Sequence, residues 1–489
     1  MKRRSKKAGT RGKEKGRGSR QHLLDRETRL SPFQRRRHRL LLAYPADYRV
    51  GMSSLGLLTL HREVSSRDDW SVERVFLPPK GDPHHTLTAL ETGDPAAQFD
   101  VLGISVSHEL ELAHVAELLQ SLGLPPRRVD RSTDTRHGPL VVIGGPLTSI
   151  NPRPLAPLAD LVIVGEADAA IHQLCDAVEQ GDVDEDGGLG ADGFWWPDTG
   201  TPPPPPAVAP PELLPAHSAL WSPDAELGDM FLVEVSRGCD RACAFCATSR
   251  VAAGRCRTVP ASRILDVVPD QARRVGLVGA AVSDHPELLP ILTSLVESGR
   301  EVGVSSVRVD RLDETLLDLL RRGGLRTLTL GADGASERLR KTLRKGVTED
   351  ALLRAAELAA TTDLRRLKLY QLVGLPDEQD ADLDELVRLT LRLSRILPIT
   401  LALSPFVPKP GTPLADAEQA PIKELERRLR RVRTGLRGKV RLQPSSPRWA
   451  WVEARIARGD ELTGEAILRA WASGARYADF RRELGSLRH

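Results

Sequence analysis

Short apolar runs recur through the first half of the chain, and amphipathic segments separate them. Each run has the length of a buried strand, while the apolar spacing in Gly51–Glu63 and Leu110–Leu122 is that of a helix. Strands and helices that alternate in this way form parallel βαβ units, so the pattern predicts a Rossmann-like, doubly wound α/β domain over residues 38–180. The predicted strands are Leu40–Tyr44, Val72–Leu77, Asp100–Val106, Leu140–Ile143 and Leu161–Val164.

The second half repeats the alternation over residues 226–435. Amphipathic helices such as Glu287–Gly299 and Thr348–Thr361 separate six further strand-like runs, which predicts a partial (β/α)6 barrel with its chemistry on the loops after the strands. Residues 436–489 have a mainly helical pattern with a break at Gly459–Asp460, and they predict a short helical C-terminus. The six runs are Met230–Val235, Val275–Val282, Glu301–Val307, Leu325–Leu330, Arg366–Val373 and Thr400–Leu403.

Two segments lack this alternation. Residues 181–225 are rich in proline and glycine, including Pro202–Pro206, and predict an extended linker without packed structure. Residues 1–37 are densely basic, although the net charge of the whole chain is only +4; they predict a disordered tail able to contact nucleic acid. The sequence contains neither an apolar stretch of membrane-spanning length nor a secretory signal, so we expect a cytoplasmic protein.

Cysteine placement gives the strongest chemical signal. Three of the five cysteines, Cys239, Cys243 and Cys246, lie within eight positions directly after the first barrel strand. Three thiolates can bind three irons of a 4Fe–4S cluster, which leaves the fourth iron free to chelate the amino and carboxylate groups of a small molecule. The alternative is a structural zinc site completed by Cys256, although zinc sites favour paired CxxC spacing. Cys175 is expected in the core of the first domain.

The loop from Ser236 to Cys246, with an aromatic residue directly before its third cysteine, resembles the signature of the radical SAM superfamily. The resemblance implies S-adenosylmethionine as a cofactor of the cluster and a partial barrel as the fold. It departs from the family where the Gly-Gly-Glu triplet is absent after the second strand, and where Asp333 stands in place of a common glutamate. The residues that the resemblance implies for cofactor binding are Phe245, Gly279, Ser283, Ser305, Arg308, Asp333 and Gly374.

The first domain resembles the cobalamin-binding-like domain that precedes many radical SAM barrels. The resemblance rests on Tyr44-Pro45, Gly51–Gly56 and the two glycine-ended strands, and the cobalamin contacts it implies are Ser105, Gly144, Gly145, Gly165 and Glu166. The loop after the first strand, residues 45–51, contains no histidine to bind cobalt. Either cobalamin binds without a protein ligand to its cobalt, or the domain is a scaffold that covers the barrel or binds substrate.

Together these features predict a radical SAM enzyme that cleaves S-adenosylmethionine reductively to a 5′-deoxyadenosyl radical. Bound cobalamin would make methyl transfer the expected outcome, and an electron donor such as flavodoxin or ferredoxin is the expected partner. One alternative is an RNA-modifying enzyme of the methylthiotransferase type, which the basic tail favours and the absence of three extra N-terminal cysteines opposes. Another is a non-catalytic iron–sulfur protein. The sequence identifies neither the substrate nor a catalytic residue.

Overall fold

The computed structural model of the chain describes residues 20–79, 86–131, 138–183, 189, 193–249 and 255–487. In this part of the chain no helix is both long and apolar enough to cross a membrane.

The first domain is built on a six-stranded sheet in the order β3-β2-β4-β5-β6-β7. Its first five strands are parallel, as the sequence predicts, and the sixth joins antiparallel at the edge. Helices α3 and α5 cover one face and α4 covers the other, because each has an apolar side that needs burial. The strands are β2 (His38–Tyr44), β3 (Trp70–Phe76), β4 (Val101–Ser105), β5 (Leu140–Gly144), β6 (Leu161–Ile163) and β7 (Phe194–Trp195). The helices are α2 (Tyr48–Gly51), α3 (Leu55–Ser65), α4 (Leu112–Ser121) and α5 (Ala167–Gln180).

Residues 181–225 are packed in most of their described part, which corrects the prediction of an extended linker. Strand β7 pairs with β6, and Trp195 is only 3% exposed because it fills the edge of the sheet. Farther along, Ala207 bridges to Gly165 in parallel register and exchanges backbone hydrogen bonds with Val164 and Glu166. The proline-rich segment therefore runs along the carboxyl end of β6.

The basic tail is ordered from residue 20 onward, which corrects the predicted boundary at residue 37. Residues 20–26 belong to helix α1, and strand β1 (Thr28–Arg29) pairs antiparallel with β8 (Leu220–Trp221). The ordering has an electrostatic cause, because the buried Glu27 carboxylate accepts hydrogen bonds from Arg74 at 2.8 Å and Arg29 at 2.7 Å. Residues 1–19 lie outside the described part of the chain.

The second domain is an open barrel of parallel strands. Strands β9, β12 and β13 form one sheet, strands β14 to β17 form the next, and a single parallel bridge between Val307 and Leu330 joins them. The barrel strands are β9 (Phe231–Glu234), β12 (Arg274–Val278), β13 (Glu301–Val304), β14 (Thr327–Asp333), β15 (Arg366–Val373), β16 (Ile399–Pro405) and β17 (Arg441–Pro444). The outer helices are α6 (Ala261–Asp266), α7 (Leu288–Glu297), α8 (Glu314–Arg322), α9 (Glu337–Thr342), α10 (Glu349–Thr361), α11 (Asp380–Leu393) and α12 (Ile422–Leu436). The predicted fold, a Rossmann-like domain followed by a partial barrel, is confirmed.

The C-terminal segment differs from the predicted helical extension in two ways. It begins with β17, which adds a seventh parallel strand beside β16. Its helices, α13 (Pro447–Ala457), α14 (Glu461–Ala472) and α15 (Tyr477–Gly485), then return to the first domain. There Val452, Ile467 and Phe480 join the hydrophobic core on the α4 side of the sheet, since this is where their apolar faces are buried.

Candidate functional site

The cysteine loop, residues 239–246, lies at the carboxyl end of the first barrel strand. It follows β10 (Ser236–Arg237), which pairs antiparallel with β11 (Arg257–Thr258) and so closes the base of the loop. Gly238 makes the entry turn with φ of +82°, and a Cβ there would lie 2.3 Å from the carbonyl oxygen of Arg255. Only glycine fits this turn. Cys243 is buried, while Cys239 and Cys246 are partly exposed.

Contacts on both sides hold the cysteine loop in place. The Ala244 N–H donates to the Leu343 carbonyl at 3.1 Å, and the Ala244 carbonyl accepts from the Leu414 N–H at 3.3 Å. Arg241 forms a two-point pair with Asp284, at 2.8 and 2.6 Å, which ties the loop to the segment after β12. Bidentate pairs of this kind fix orientation as well as distance. The loop is therefore fixed by the segments that follow β12, α9 and β16.

The thiols of the loop fit an iron–sulfur cluster. Burial raises the pKa of the Cys243 thiol, the nearby Lys345 opposes this shift, and Cys246 and Cys239 add to it, so the other two cysteines lie near Cys243. Among the described residues, no three His, Cys, Asp or Glu side chains converge on the position of one ion. A cubane cluster does not need such convergence, because each thiolate binds a different iron.

Cys256 lies beside the loop, where the zinc alternative requires it. Its backbone N–H donates to Asp240 at 2.7 Å, and burial together with the charges of Asp240 and Cys239 raises the pKa of its thiol. Substitution of Cys256 therefore separates the iron and zinc alternatives.

The residues predicted to bind the cofactor after β12 and β13 are largely engaged by protein groups. A Cβ at Gly279 would lie 2.8 Å from the Ser236 hydroxyl, so this glycine admits the neighbouring strand. The Ser283 hydroxyl accepts from the Arg308 N–H at 3.0 Å, and the Arg308 guanidinium pairs with Asp310 at 3.0 Å. Ser305 alone of these is exposed. These residues shape the wall beside the cysteine loop.

Asp333 and Gly374 have different surroundings. Asp333 has φ of +62° and pairs with Lys345 at 2.6 Å, and both charges act on Cys243, so this pair borders the cysteine loop. Lys345 was missed as a site residue, although it stands in a Lys-Gly step shortly after Asp333. Gly374 donates its N–H to the buried Glu378 at 2.8 Å, and a Cβ there would lie 2.4 Å from Leu425. Gly374 is thus a packing position against α12.

A buried charge cluster joins the first domain to the base of the cysteine loop. The Arg237 guanidinium donates to Asp168 at 2.8 and 3.1 Å, to Glu166 at 3.1 Å and to Glu234 at 2.8 Å. Arg257, on the paired strand β11, donates to the other oxygen of Glu166. Sequence reasoning missed this cluster, because its members come from opposite halves of the chain.

Several of the residues predicted to contact cobalamin already contact protein groups. Gly165 faces Ala207, where a Cβ would lie 2.5 Å from backbone atoms, and Glu166 is held by the two arginines described above. Gly145 has φ of +106° and would place a Cβ 2.6 Å from the Val106 carbonyl oxygen. Ser105 and Gly144 pair with each other within the sheet. Gly145 and Gly165 therefore admit a close approach of protein backbone, whereas Gly144 has only ordinary contacts.

A cavity of about 390 Å³ lies between the cysteine loop, the first domain and the C-terminal helices. Lys409 spans its wall, donating to Glu109 at 2.7 Å and to Glu453 at 2.8 Å, and so joins all three parts of the molecule. The volume suits a small organic molecule. The cavity is lined by Leu110, Phe245, Leu372, Ser404, Pro405, Phe406, Val407, Lys409, Ser445, Ser446, Trp449, Ala450 and Glu453. A second cavity of about 400 Å³, between α5 and residues 205–208, is lined mainly by alanine and proline.

Comparison with known proteins identifies two families. Residues 56–187 match the family described as radical SAM proteins, N-terminal, and residues 233–390 match the radical SAM superfamily. A protein of Methanocaldococcus jannaschii is 26% identical over 384 residues, which cover 76% of this chain and 78% of that protein. The ribosomal protein uS12 methylthiotransferase of Anaeromyxobacter is 28% identical over 225 residues, which cover 41% of this chain and 45% of that enzyme.

Among solved structures, the cobalamin-dependent S-adenosylmethionine radical enzyme OxsB has a similar fold, with a TM-score of 0.53 and 14% identity. The match covers 72% of this chain and 51% of that one, about half its length. At this identity the likeness extends to the fold alone.

Proposed function

We propose that this chain, which belongs to the radical SAM superfamily and carries an additional N-terminal domain, cleaves S-adenosylmethionine at a 4Fe–4S cluster bound by Cys239, Cys243 and Cys246. Membership of the superfamily implies both cofactors. The observation that carries the proposal is the cysteine loop itself, fixed at the carboxyl end of the first barrel strand beside a cavity that Phe245 lines. The substrate would occupy that cavity.

When bound, the cluster and S-adenosylmethionine supply a one-electron cleavage of the sulfonium that yields methionine and a 5′-deoxyadenosyl radical. The chain's own residues orient and enclose the reactants. Asp284 and the carboxylates around Arg237 hold the cysteine loop, while Phe245, Ser305 and the Asp333–Lys345 pair offer groups toward the cofactor. Ser283, Arg308, Gly279 and Gly374 act through the protein contacts described above.

Lys409 links the parts of the molecule that form the cavity wall. Lys409 is largely buried, but the carboxylates of Glu109 and Glu453 outweigh the effect of burial and raise its pKa. The ammonium therefore stays charged and joins the first domain, the barrel and the C-terminal helices. Superfamily enzymes need an electron donor, and we propose flavodoxin or ferredoxin in the cytosol, where the thiols stay reduced.

Cobalamin-dependent methyl transfer does not enter the proposal, since Gly145, Gly165 and Glu166 already contact protein groups. Methylthio transfer to RNA or protein is favoured by the basic residues of the N-terminal tail and by partial matches to methylthio-transferring enzymes, one of which covers 41% of this chain. Residues 38–180 contain a single cysteine, Cys175, which is buried in α5.

The test is product analysis on the full-length protein, reconstituted anaerobically and assayed for iron, zinc and cobalt. With S-adenosylmethionine and a reductant, we expect 5′-deoxyadenosine from the wild type and from Cys175→Ala, and none from Cys243→Ala. A wild-type protein that holds its full cluster and forms no product derived from S-adenosylmethionine would refute the proposal.

A further inference from the structure

Three neighbouring barrel strands present a continuous inner wall. On β15 and β16, Leu367, Leu369, Leu401 and Leu403 face the outer helices and are fully buried, so the alternate residues face the barrel interior. Leu442 on β17 packs against the same core and sets the same alternation there. The inner wall consists of Arg366, Lys368, Tyr370 and Leu372 on β15, Thr400, Ala402 and Ser404 on β16, and Arg441, Gln443 and Ser445 on and directly after β17.

The lower part of the inner wall is basic. Lys368 lies opposite Thr400, which lies opposite Arg441, and Arg366 donates to Thr400 at 3.3 Å. Strand geometry puts neighbouring cations about 7 Å apart along β15 and about 10 Å apart across the strands. Within the described residues, no carboxylate lies in ion-pair range of these three cations. Three like charges without a carboxylate partner give this wall a positive potential, which favours binding of an anion.

The opposite side of the barrel does not supply that anion. There Arg274 and Glu301, at the starts of β12 and β13, neutralise each other at 3.0 Å. At the upper end, Asp333 is likewise paired with Lys345. Tyr370 is 40% exposed and its ring holds the Lys368 ammonium at 4.7 Å, which keeps the cation on the interior side.

The basic rows lie on the same wall as the cavity beside the cysteine loop, below the residues that line it. Leu372, Ser404 and Ser445, the upper residues of the same wall, all line that cavity. Lys368 is four residues below Leu372, a distance of about 13 Å along an extended strand. Ala402, between Tyr370 and Gln443, is the smallest side chain of the wall.

We propose that the inner wall binds the phosphate group of an elongated organic substrate whose reacting end occupies the cavity. Arg366, Lys368 and Arg441 would bind the phosphate oxygens, with the Thr400 hydroxyl beside them. The proposal rests on the proposed function for the reaction at the other end of the substrate. A phosphate ester of a small molecule and the backbone of a nucleic acid share this chemistry.

Titration of the full-length holoenzyme separates these sources. The probes are inorganic pyrophosphate and a single-stranded oligonucleotide of eight nucleotides, at fixed ionic strength. We expect Lys368→Gln and Arg441→Gln each to weaken binding of the preferred probe about tenfold. Lys423→Gln, which removes an exposed lysine from outer helix α12, should leave it unchanged. Tighter binding of pyrophosphate assigns the wall to a small phosphate ester, and tighter binding of the oligonucleotide assigns it to nucleic acid.

The proposal would be overturned if neither probe bound. It would also be overturned if the substitutions in the inner wall left the affinity unchanged. Thermal melting of each variant checks its folding, and Lys368→Arg should restore binding. The titration needs neither S-adenosylmethionine nor a reductant. A failure of reductive cleavage and a failure of the inner wall to bind phosphate are therefore distinguishable.

Discussion

Arg237 stands two residues before the first cysteine of the loop and is held mainly from the other domain. Its planar guanidinium satisfies oxygens of Asp168, Glu166 and Glu234, with only 15% of the side chain exposed. A lysine would offer a single charged atom in place of this fork. The first domain therefore helps to set the position of the cysteine loop, although it contributes no cysteine to it.

Substitution of Glu166 tests this link. Burial alone would raise the pKa of its carboxyl, but the hydrogen bond from Arg257 and the charge of Arg237 outweigh it and hold the pKa below the usual 4.5. The stabilisation is complete above pH 4.5 and is lost as the pH falls through the lowered pKa of the folded state. Glu166→Gln should lower the free energy of unfolding at pH 7 by about 2–3 kcal/mol, less than for a fully buried pair.

Denaturant unfolding at several pH values measures this difference. The difference in the free energy of unfolding between wild type and Glu166→Gln should become smaller below pH 4.5. Glu418→Gln, at an exposed position, should change the free energy of unfolding little at any pH. A gap that does not change with pH, or equal losses in both variants, would show that the charge of Glu166 is not what stabilises the domain contact.

At the scale of elements, the segment after α5 contains strand β7 and a strap, residues 205–208, which runs along the carboxyl end of β6. Gly165→Ala tests the strap, because the new Cβ would meet the Ala207 backbone at 2.5 Å in a residue with φ of +100°. We expect a loss of about 3 kcal/mol or more in the free energy of unfolding, from backbone strain and displacement of the strap.

Gly181→Ala is the matched control for this substitution. Gly181 ends α5 with φ of +75°, and nothing lies within 4 Å of its added Cβ. Gly181→Ala should lower the free energy of unfolding by about 1 kcal/mol, because alanine is less stable than glycine in the left-handed conformation. Equal losses in the two variants would show that residues 205–208 do not press on β6.

The elements that the sequence predicted are those that bury an apolar run of their own. The five parallel strands of the first domain and the first six of the barrel each contain at least two apolar residues, most of them buried. Strand β17, Arg441–Pro444, has one apolar side chain that packs on the core, and its neighbour β16 defines it as a strand. Strand β7, Phe194–Trp195, was not predicted, because its two residues lie between glycine-rich and proline-rich sequence of the composition typical of a linker.

The candidate site likewise has one part that the sequence predicts and another that only the fold reveals. The cysteine loop is local in sequence, so its spacing was sufficient to place it at the end of β9. The sequence does not distinguish the roles of glycines at strand ends, because a glycine allows a ligand and a protein backbone to approach equally closely. Gly165 and Gly145 proved to admit backbone, and only the fold could show which neighbour each one has.

The whole molecule closes on itself, since its C-terminal helices complete the core of its first domain. Ile467 on α14 is fully buried in that core, and its helix packs against α4 of the first domain. Ile467→Ala should lower the free energy of unfolding by about 2–5 kcal/mol. It should also speed amide hydrogen exchange in β4 and β5. Leu462→Ala, on the same helix at 63% exposure, should change stability by less than about 0.5 kcal/mol. Unchanged exchange in these strands would contradict the shared core.

The central claim is that three cysteines hold a cluster with one iron open to S-adenosylmethionine. Electron paramagnetic resonance of the reduced, reconstituted protein tests it most directly. We predict a 4Fe–4S signal whose g values shift on addition of S-adenosylmethionine, equally in wild type and Cys256→Ser. Adenosine, which lacks the amino and carboxylate groups, should cause no shift. Bound zinc in place of iron, or a cluster signal that S-adenosylmethionine leaves unchanged, would contradict the claim.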